Sequence, residues 1–186
     1  MQFIPTTIPG LIIYEPAVFE DSRGYFFESY NGRLFEENNL RISFVQDNQS
    51  KSSYGVVRGL HFQRPPHTQT KLVRVLKGVI IDVVVDLRAG SPTYGETFSI
   101  ELSDENRKQL LVPKGFAHGF SVISPFAEVM YKCDEYYHKE SESGIRYNDS
   151  QLAIDWKIPE ASMIVSDKDS VLPLFKDYAG EFTFIP

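Results

Sequence analysis

Cysteine is almost absent from this chain: Cys133 is the one thiol in 186 residues. An internal disulfide is therefore excluded, and a cytoplasmic location is the default expectation. Long apolar runs are missing too. The opening stretch, MQFIPTTIPGLIIYEP, has no basic start and no extended hydrophobic segment, so it reads as neither a signal peptide nor a membrane span. Positive charge is in deficit, with 19 Lys and Arg against 25 Asp and Glu and a net charge of −6. That balance argues against nucleic acid or an acidic membrane surface as partner, although a small anion fits wherever basic residues gather. There is no repeat of 20–50 residues, no low-complexity tract and no linker.

What is present points to strands. Aromatic residues reach 13%, as 14 Phe and 10 Tyr against one Trp, and hydrophobic residues 42%, which suits pleated surfaces around a sizeable core. The chain reads as one domain, 1–186, with an N-terminal arm over about 1–18, a barrel over about 19–140 and a C-terminal region of loops and short helices over 141–186. Pro5, Pro9 and Pro16 keep the arm extended, and since such an arm cannot bury itself alone, pairing with another chain is the expectation. Asn31 is placed to cap a short helix through Glu37. Lys71 to Leu76 alternates, with Lys71, Val73 and Val75 on one face. After a turn at Gly78, Ile81, Val83, Val85 and Leu87 oppose Asp82, Val84 and Asp86. Further strands are expected over 43–49, 96–102, 109–112 and 127–133, with 50–55 as a loop and 113–120 as a tight turn carrying His118. Many short strands with little helix indicate an all-β sandwich or barrel. A Lys and a His facing inward among valines suggest a cavity lining.

Several stretches carry a resemblance. RGLHFQ (58–63), QTKLVRVLKG (69–78), DVVVDLR (82–88), SPTYG (91–95) and PKGFAHGF (113–120), with DSRGYFFES (21–29), QDNQS (46–50) and SDKD (166–169), look like the dTDP-4-dehydrorhamnose 3,5-epimerase family, over about Pro9 to Leu174. The resemblance implies a cupin-type jelly-roll barrel, a homodimer, no cofactor, and a dTDP-linked 4-keto-6-deoxyhexose as substrate, epimerised at C3 and C5. Related enzymes that invert one centre share nearly all these motifs, and a non-catalytic cupin-like binding module is the reading from another class.

The chemistry asks for a base, an acid and a stabiliser of enolate charge. Residue type alone would leave His61 a core histidine; with the motif it becomes the base, oriented by Asp169 (Asp167 lies two residues away). Tyr131 is the acid on the opposite face and Lys71 the cation beside the ketone oxygen. PKGFAH matches the second cupin metal motif, but His61-Phe62-Gln63 offers one imidazole followed by an amide where the first would need more, so no metal is expected. His118 is then a donor or a cavity wall. Resemblance assigns Arg23 and Arg58 to the diphosphate, with Lys168 near the nucleotide. It assigns Glu28, Gln46, Asp47, Asn48 and Glu142 to sugar and base contacts, and Tyr136, with Tyr137 as rival, to stacking on thymine. Arg23 and Glu28 are expected to reach a neighbouring subunit's site. Arg74 and Arg88 read as solvated charges. Arg58 and His61 are three residues apart and so face opposite ways on an ideal strand, unless Gly59 permits a bulge.

Overall fold

A computed structural model describes residues 1–185. The arm supplies β1 (Gln2–Pro5) and β2 (Ile12–Glu15), and β3 (Phe19–Asp21) and β4 (Gly24–Phe26) form a separate hairpin. Helix α1 (Gly32–Glu37) leads to β5 (Gln46–Ser53), β6 (Val56–Gln63), β7 (Lys71–Lys77), β8 (Val79–Asp86) and the short β9 (Arg88–Ala89). Then follow β10 (Thr97–Ser103), β11 (Gln109–Val112), β12 (Phe116–Val122), β13 (Phe126–Cys133) and β14 (Glu142–Gly144). The tail contributes β15 (Ile164–Val165), α2 (Asp167–Ser170) and β16 (Phe182–Thr183). One sheet runs β1-β2-β11-β7-β13-β5 and faces a second that runs β10-β8-β12-β6-β14. This is the all-β jelly roll the sequence pointed to.

The alternation assigned from sequence sorts the core. Val73, Val75, Val84, Val112, Phe120 and Val129 meet between the sheets. The other face of β8, with Ile81, Val83, Val85 and Leu87, is covered by the C-terminal tail through Ile145, Trp156, Ile158 and Phe175. Central strands covered on both faces become apolar on both faces, which is why β8 is buried almost throughout. Behind the first sheet, Leu72 and Leu111 pack on Tyr14 and Phe35. Phe35 comes from α1, whose start is fixed as expected by Asn31 Oδ1 accepting from the Leu34 N–H. Each such burial is worth about 1.5–3 kcal/mol.

Four local expectations are corrected. The arm pairs with its own chain: β2 adds to β11, and Ile8, Leu11 and Tyr14 are fully buried. The stretch from Ser50 is strand rather than loop as far as Ser53, because β13 supplies partners for all of it. Residues 116–120 are strand too, since β12 lies between β6 and β8 and its backbone is paired on both sides. Arg88 is buried rather than solvated. Its guanidinium forms a two-point pair with Asp86 at 2.8 Å, and it lies over the Phe116 ring at 4.3 Å.

Candidate active site

β6 and β12 pair with a slip: His118 is opposite His61 and Phe120 opposite Arg58. Between those pairs one residue on β12, Gly119, faces two on β6, Gly59 and Leu60, which is a bulge. Gly59 sits in it at φ +122°, and a Cβ there would lie 2.6 Å from the Gly119 Cα. Only glycine fits this approach. The extra residue turns Arg58 and His61 to the same cavity, where both line the hollows around the site.

His61 Nε2 is 2.7 Å from Asp169 Oδ1. Asp169 comes from α2, which Ser166 caps by accepting from the Asp169 N–H, and its second oxygen accepts from the Gly59 N–H at 3.2 Å. Burial pushes the Asp169 carboxyl up. The His61 hydrogen bond and charge and the Gly59 N–H outweigh that, so it lies below its ordinary value. An ionised, rigidly held carboxylate on Nε2 leaves Nδ1 as the ring nitrogen free to take a proton. Asp167, the neighbour that sequence could not separate from Asp169, makes no such contact.

His61, Lys71 and Tyr131 line one cavity of about 220 Å³ together with Gln46, Asn48 and Glu142. All three also line a second hollow of about 120 Å³, together with His118. Lys71 Nζ lies 5.7 Å from the Tyr131 ring centre. Among the described residues no carboxylate forms an ion pair with Lys71. Burial pushes its ammonium below the ordinary range, and the nearby Cys133, Asp82 and Glu142 only partly restore it. Tyr131 moves the other way: burial, then the neighbouring Cys133, raise its phenol against a smaller opposing pull from Arg58. It therefore holds its proton at neutral pH. His118 is buried with Nε2 2.8 Å from Asp82 Oδ1, and Asp82 Oδ2 is buried with no hydrogen-bond partner among the described residues. Two inward imidazoles thus each have one nitrogen committed to a carboxylate. Among the described residues no three His, Cys, Asp or Glu side chains converge as metal ligands would.

Beyond His61 a hollow of about 440 Å³ carries Arg58 and Lys168. Arg58 Nε donates to Ser52 Oγ, and Lys168 pairs with Glu142, which also accepts from Tyr137 Oη at 2.7 Å. Burial raises the Glu142 carboxyl, but Lys168 and Tyr137 together hold it below its ordinary value. Gln46 and Asn48 face inward and bond each other, whereas Asp47 faces out on the same strand and pairs with Lys132. The cavity does not receive Asp47. Tyr136 is 64% exposed at the rim, while Tyr137, its rival, lines the cavity. Arg23 and Glu28 lie elsewhere: Arg23 pairs with Asp21 in a hairpin hollow of about 390 Å³ that shares no residue with the His61 cavity, and Glu28 bonds Asn31. Sequence reasoning missed Gln63 and Gln69, which line the cavity, and the Asp82 partner of His118. An Asp in the middle of an otherwise apolar strand was the available signal for the last.

A family model described as dTDP-4-dehydrorhamnose 3,5-epimerase matches residues 5–177. The chain belongs to that family. It is 52% identical over 169 residues to the dTDP-4-dehydrorhamnose 3,5-epimerase of Methanothermobacter thermautotrophicus, covering 90% of this chain and 91% of the relative. Among solved structures, the dTDP-4-dehydrorhamnose 3,5-epimerase of Elizabethkingia anophelis superposes with a TM-score of 0.91 at 56% identity, over 95% of this chain and 97% of that one. The dTDP-6-deoxy-D-glucose-3,5-epimerase of Legionella pneumophila, solved with dTDP-4-keto-L-rhamnose, does so at 0.93 and 46% identity, over 100% and 99%. No helix of the described epimerase-family chain is long and apolar enough to cross a membrane.

Proposed function

We propose that this chain is a cytoplasmic, homodimeric, cofactor-independent epimerase that inverts C3 and C5 of dTDP-4-dehydro-6-deoxy-D-glucose, giving dTDP-4-dehydro-L-rhamnose. The observation that carries the reading is the single cavity lined by His61, held by Asp169, with Lys71 and Tyr131. A ketone at C4 makes the C3 and C5 hydrogens acidic. His61 Nδ1 removes one, the electron pair moves onto O4, and the Lys71 ammonium meets the enolate oxygen. In a dry site that pairing is worth a few kcal/mol. Burial leaves Lys71 short of counter-charge, so it has more to gain from the developing oxyanion than a solvated lysine would. Tyr131 then delivers its proton to the other face of the ring carbon, which inverts the centre. Once His61 has passed its proton to solvent and Tyr131 has regained one from it, the same groups act again at the second carbon.

The nucleotide lies along the rim. Arg58 and Lys168 supply cationic donors for the diphosphate, and Tyr136 and Tyr137 supply ring faces for thymine. Arg23 and Glu28 serve a partner's cavity. Support comes from the hairpin that carries Arg23, which exposes Phe19 and Phe26 by 66% and 67%, an apolar display that a second subunit would cover.

Incubating the protein with the 4-keto sugar nucleotide in D₂O tests this directly. Deuterium at both C3 and C5, with inversion, is expected. Deuterium at one carbon would make it a single-centre epimerase, and none at either would leave only a binding module.

A further inference from the structure

The segment that carries the two rim tyrosines has almost no backbone partners of its own. Residues 135–138 follow the end of β13 without regular structure, and four of their main-chain groups are taken up by three glutamine side chains. Gln69 Nε2 donates to the Glu135 carbonyl at 2.8 Å. Gln63 Nε2 donates to the Tyr136 carbonyl at 3.3 Å, and Gln63 Oε1 accepts from the His138 N–H at 2.7 Å. Gln46 Oε1 accepts from the Tyr137 N–H at 3.0 Å. Gln63 is 5% exposed, and its second N–H goes to the His67 carbonyl at 3.1 Å. It therefore ties the segment to the loop after β6. On the outer side of this tie, the His67 and His138 rings stack with centroids 3.9 Å apart and planes 7° from parallel.

Carbonyls only accept and N–H groups only donate, so the Gln63 partners dictate which way its amide points. Both ends of a buried amide are thereby spent on main chain. A leucine in its place would leave two carbonyls and one N–H without their partners, at a site largely shut off from water.

We infer that Gln63, seconded by Gln69, is a positioning residue for nucleotide recognition: it fixes the backbone that presents Tyr136 and Tyr137 to the base. This rests on the proposed placement of the base at those rings. Gln63 lines the cavity, but both its amide N–H groups and its oxygen are spent on main chain, which leaves no donor for the sugar, so its loss falls on affinity. Replacing it should lower base-dependent binding while leaving pyrophosphate, held by Arg58 and Lys168, unaffected.

Calorimetric titration of dTDP and of pyrophosphate into wild type and Gln63→Leu separates the possibilities. The expected result is about a tenfold weaker Kd for dTDP, equivalent to about 1.4 kcal/mol, with the pyrophosphate Kd within twofold of wild type. KM for the sugar nucleotide should rise in step while kcat stays within twofold. A dTDP Kd unchanged in Gln63→Leu overturns the inference, as does a kcat loss at constant KM. Parallel loss of dTDP and pyrophosphate binding also overturns it, because a general loosening of the fold would then explain both. Wild type that fails to bind dTDP at all would instead remove the parent reading. If Gln63→Leu does not fold, Gln69→Leu releases the same segment at Glu135 alone and is expected to show a smaller shift of the same kind; no shift there counts against the role.

Discussion

Asp169→Asn is the substitution that most directly tests the proposed role of His61 as the base. The two Asp169 oxygens have different duties: one is 2.7 Å from His61 Nε2 and the other accepts from the buried Gly59 N–H at 3.2 Å. An asparagine keeps one oxygen. The Gly59 N–H needs an acceptor, so the amide turns its oxygen there and its NH₂ toward Nε2. Nε2 must then accept, which places the imidazole proton on Nδ1, where the proposed base needs a lone pair. Restoring the working tautomer means turning the amide and leaving Gly59 unsatisfied, at about 1–3 kcal/mol. Losing a hydrogen bond to a charged group adds about 1.5–3 kcal/mol. Together these effects predict a fall in kcat of roughly 10²–10⁴-fold. KM should change little, since Asp169 is buried behind the ring. The assay is NMR-followed deuterium incorporation at C3 and C5, with product formation measured in parallel. Exchange within fivefold of wild type in a folded Asp169→Asn protein would refute the assignment of Asp169 as the group that sets the His61 tautomer.

Tyr131→Phe removes the proposed proton donor and little volume; it is expected to keep proton abstraction, seen as exchange at the substrate carbons, and to lose at least about a hundredfold in inverted product. Undiminished product formation in an NMR time course would take Tyr131 out of that role. Asp86→Asn strips the charge partner from the buried Arg88 guanidinium, and a drop of about 3–5 kcal/mol in unfolding free energy is expected from urea denaturation. The same pair gives a pH dependence. Burial raises the Asp86 carboxyl, but Arg88, Ser91 and Thr93 together hold it below its ordinary 3.8. Its contribution is therefore full above that value and is lost as pH falls through the depressed one. Wild type should lose stability in that acid window, and Asp86→Asn should show a shallower loss; parallel acid-denaturation curves would contradict the pairing.

Much of the architecture was legible because a strand's side-chain period is local. The placement of Val73, Val75 and Lys71 together, and of Ile81, Val83 and Val85 opposite Asp82, follows from counting by two, and both faces were found where that count put them. The cap at Asn31 is equally local. Residues 50–53 and 116–120 were misread for a related reason: their strand character comes from neighbours far away in sequence, which complete the hydrogen bonds on either side. Composition cannot reveal a ladder partner.

An all-β fold could be read from side-chain alternation and the family from its motifs, because residue type and spacing are properties of the chain. Those motifs named His61, Tyr131 and Lys71, which the fold brings to one cavity. It takes the folded chain to show that Asp169 rather than Asp167 holds His61, that Asp47 faces away while Gln46 and Asn48 face in, and that Arg88 is buried. The folded chain alone showed that three glutamines carry the rim segment. Each of those facts depends on a bulge, a helix phase or a loop path set by packing between segments remote in sequence, and one extra residue at Gly59 is enough to reverse which face a side chain meets.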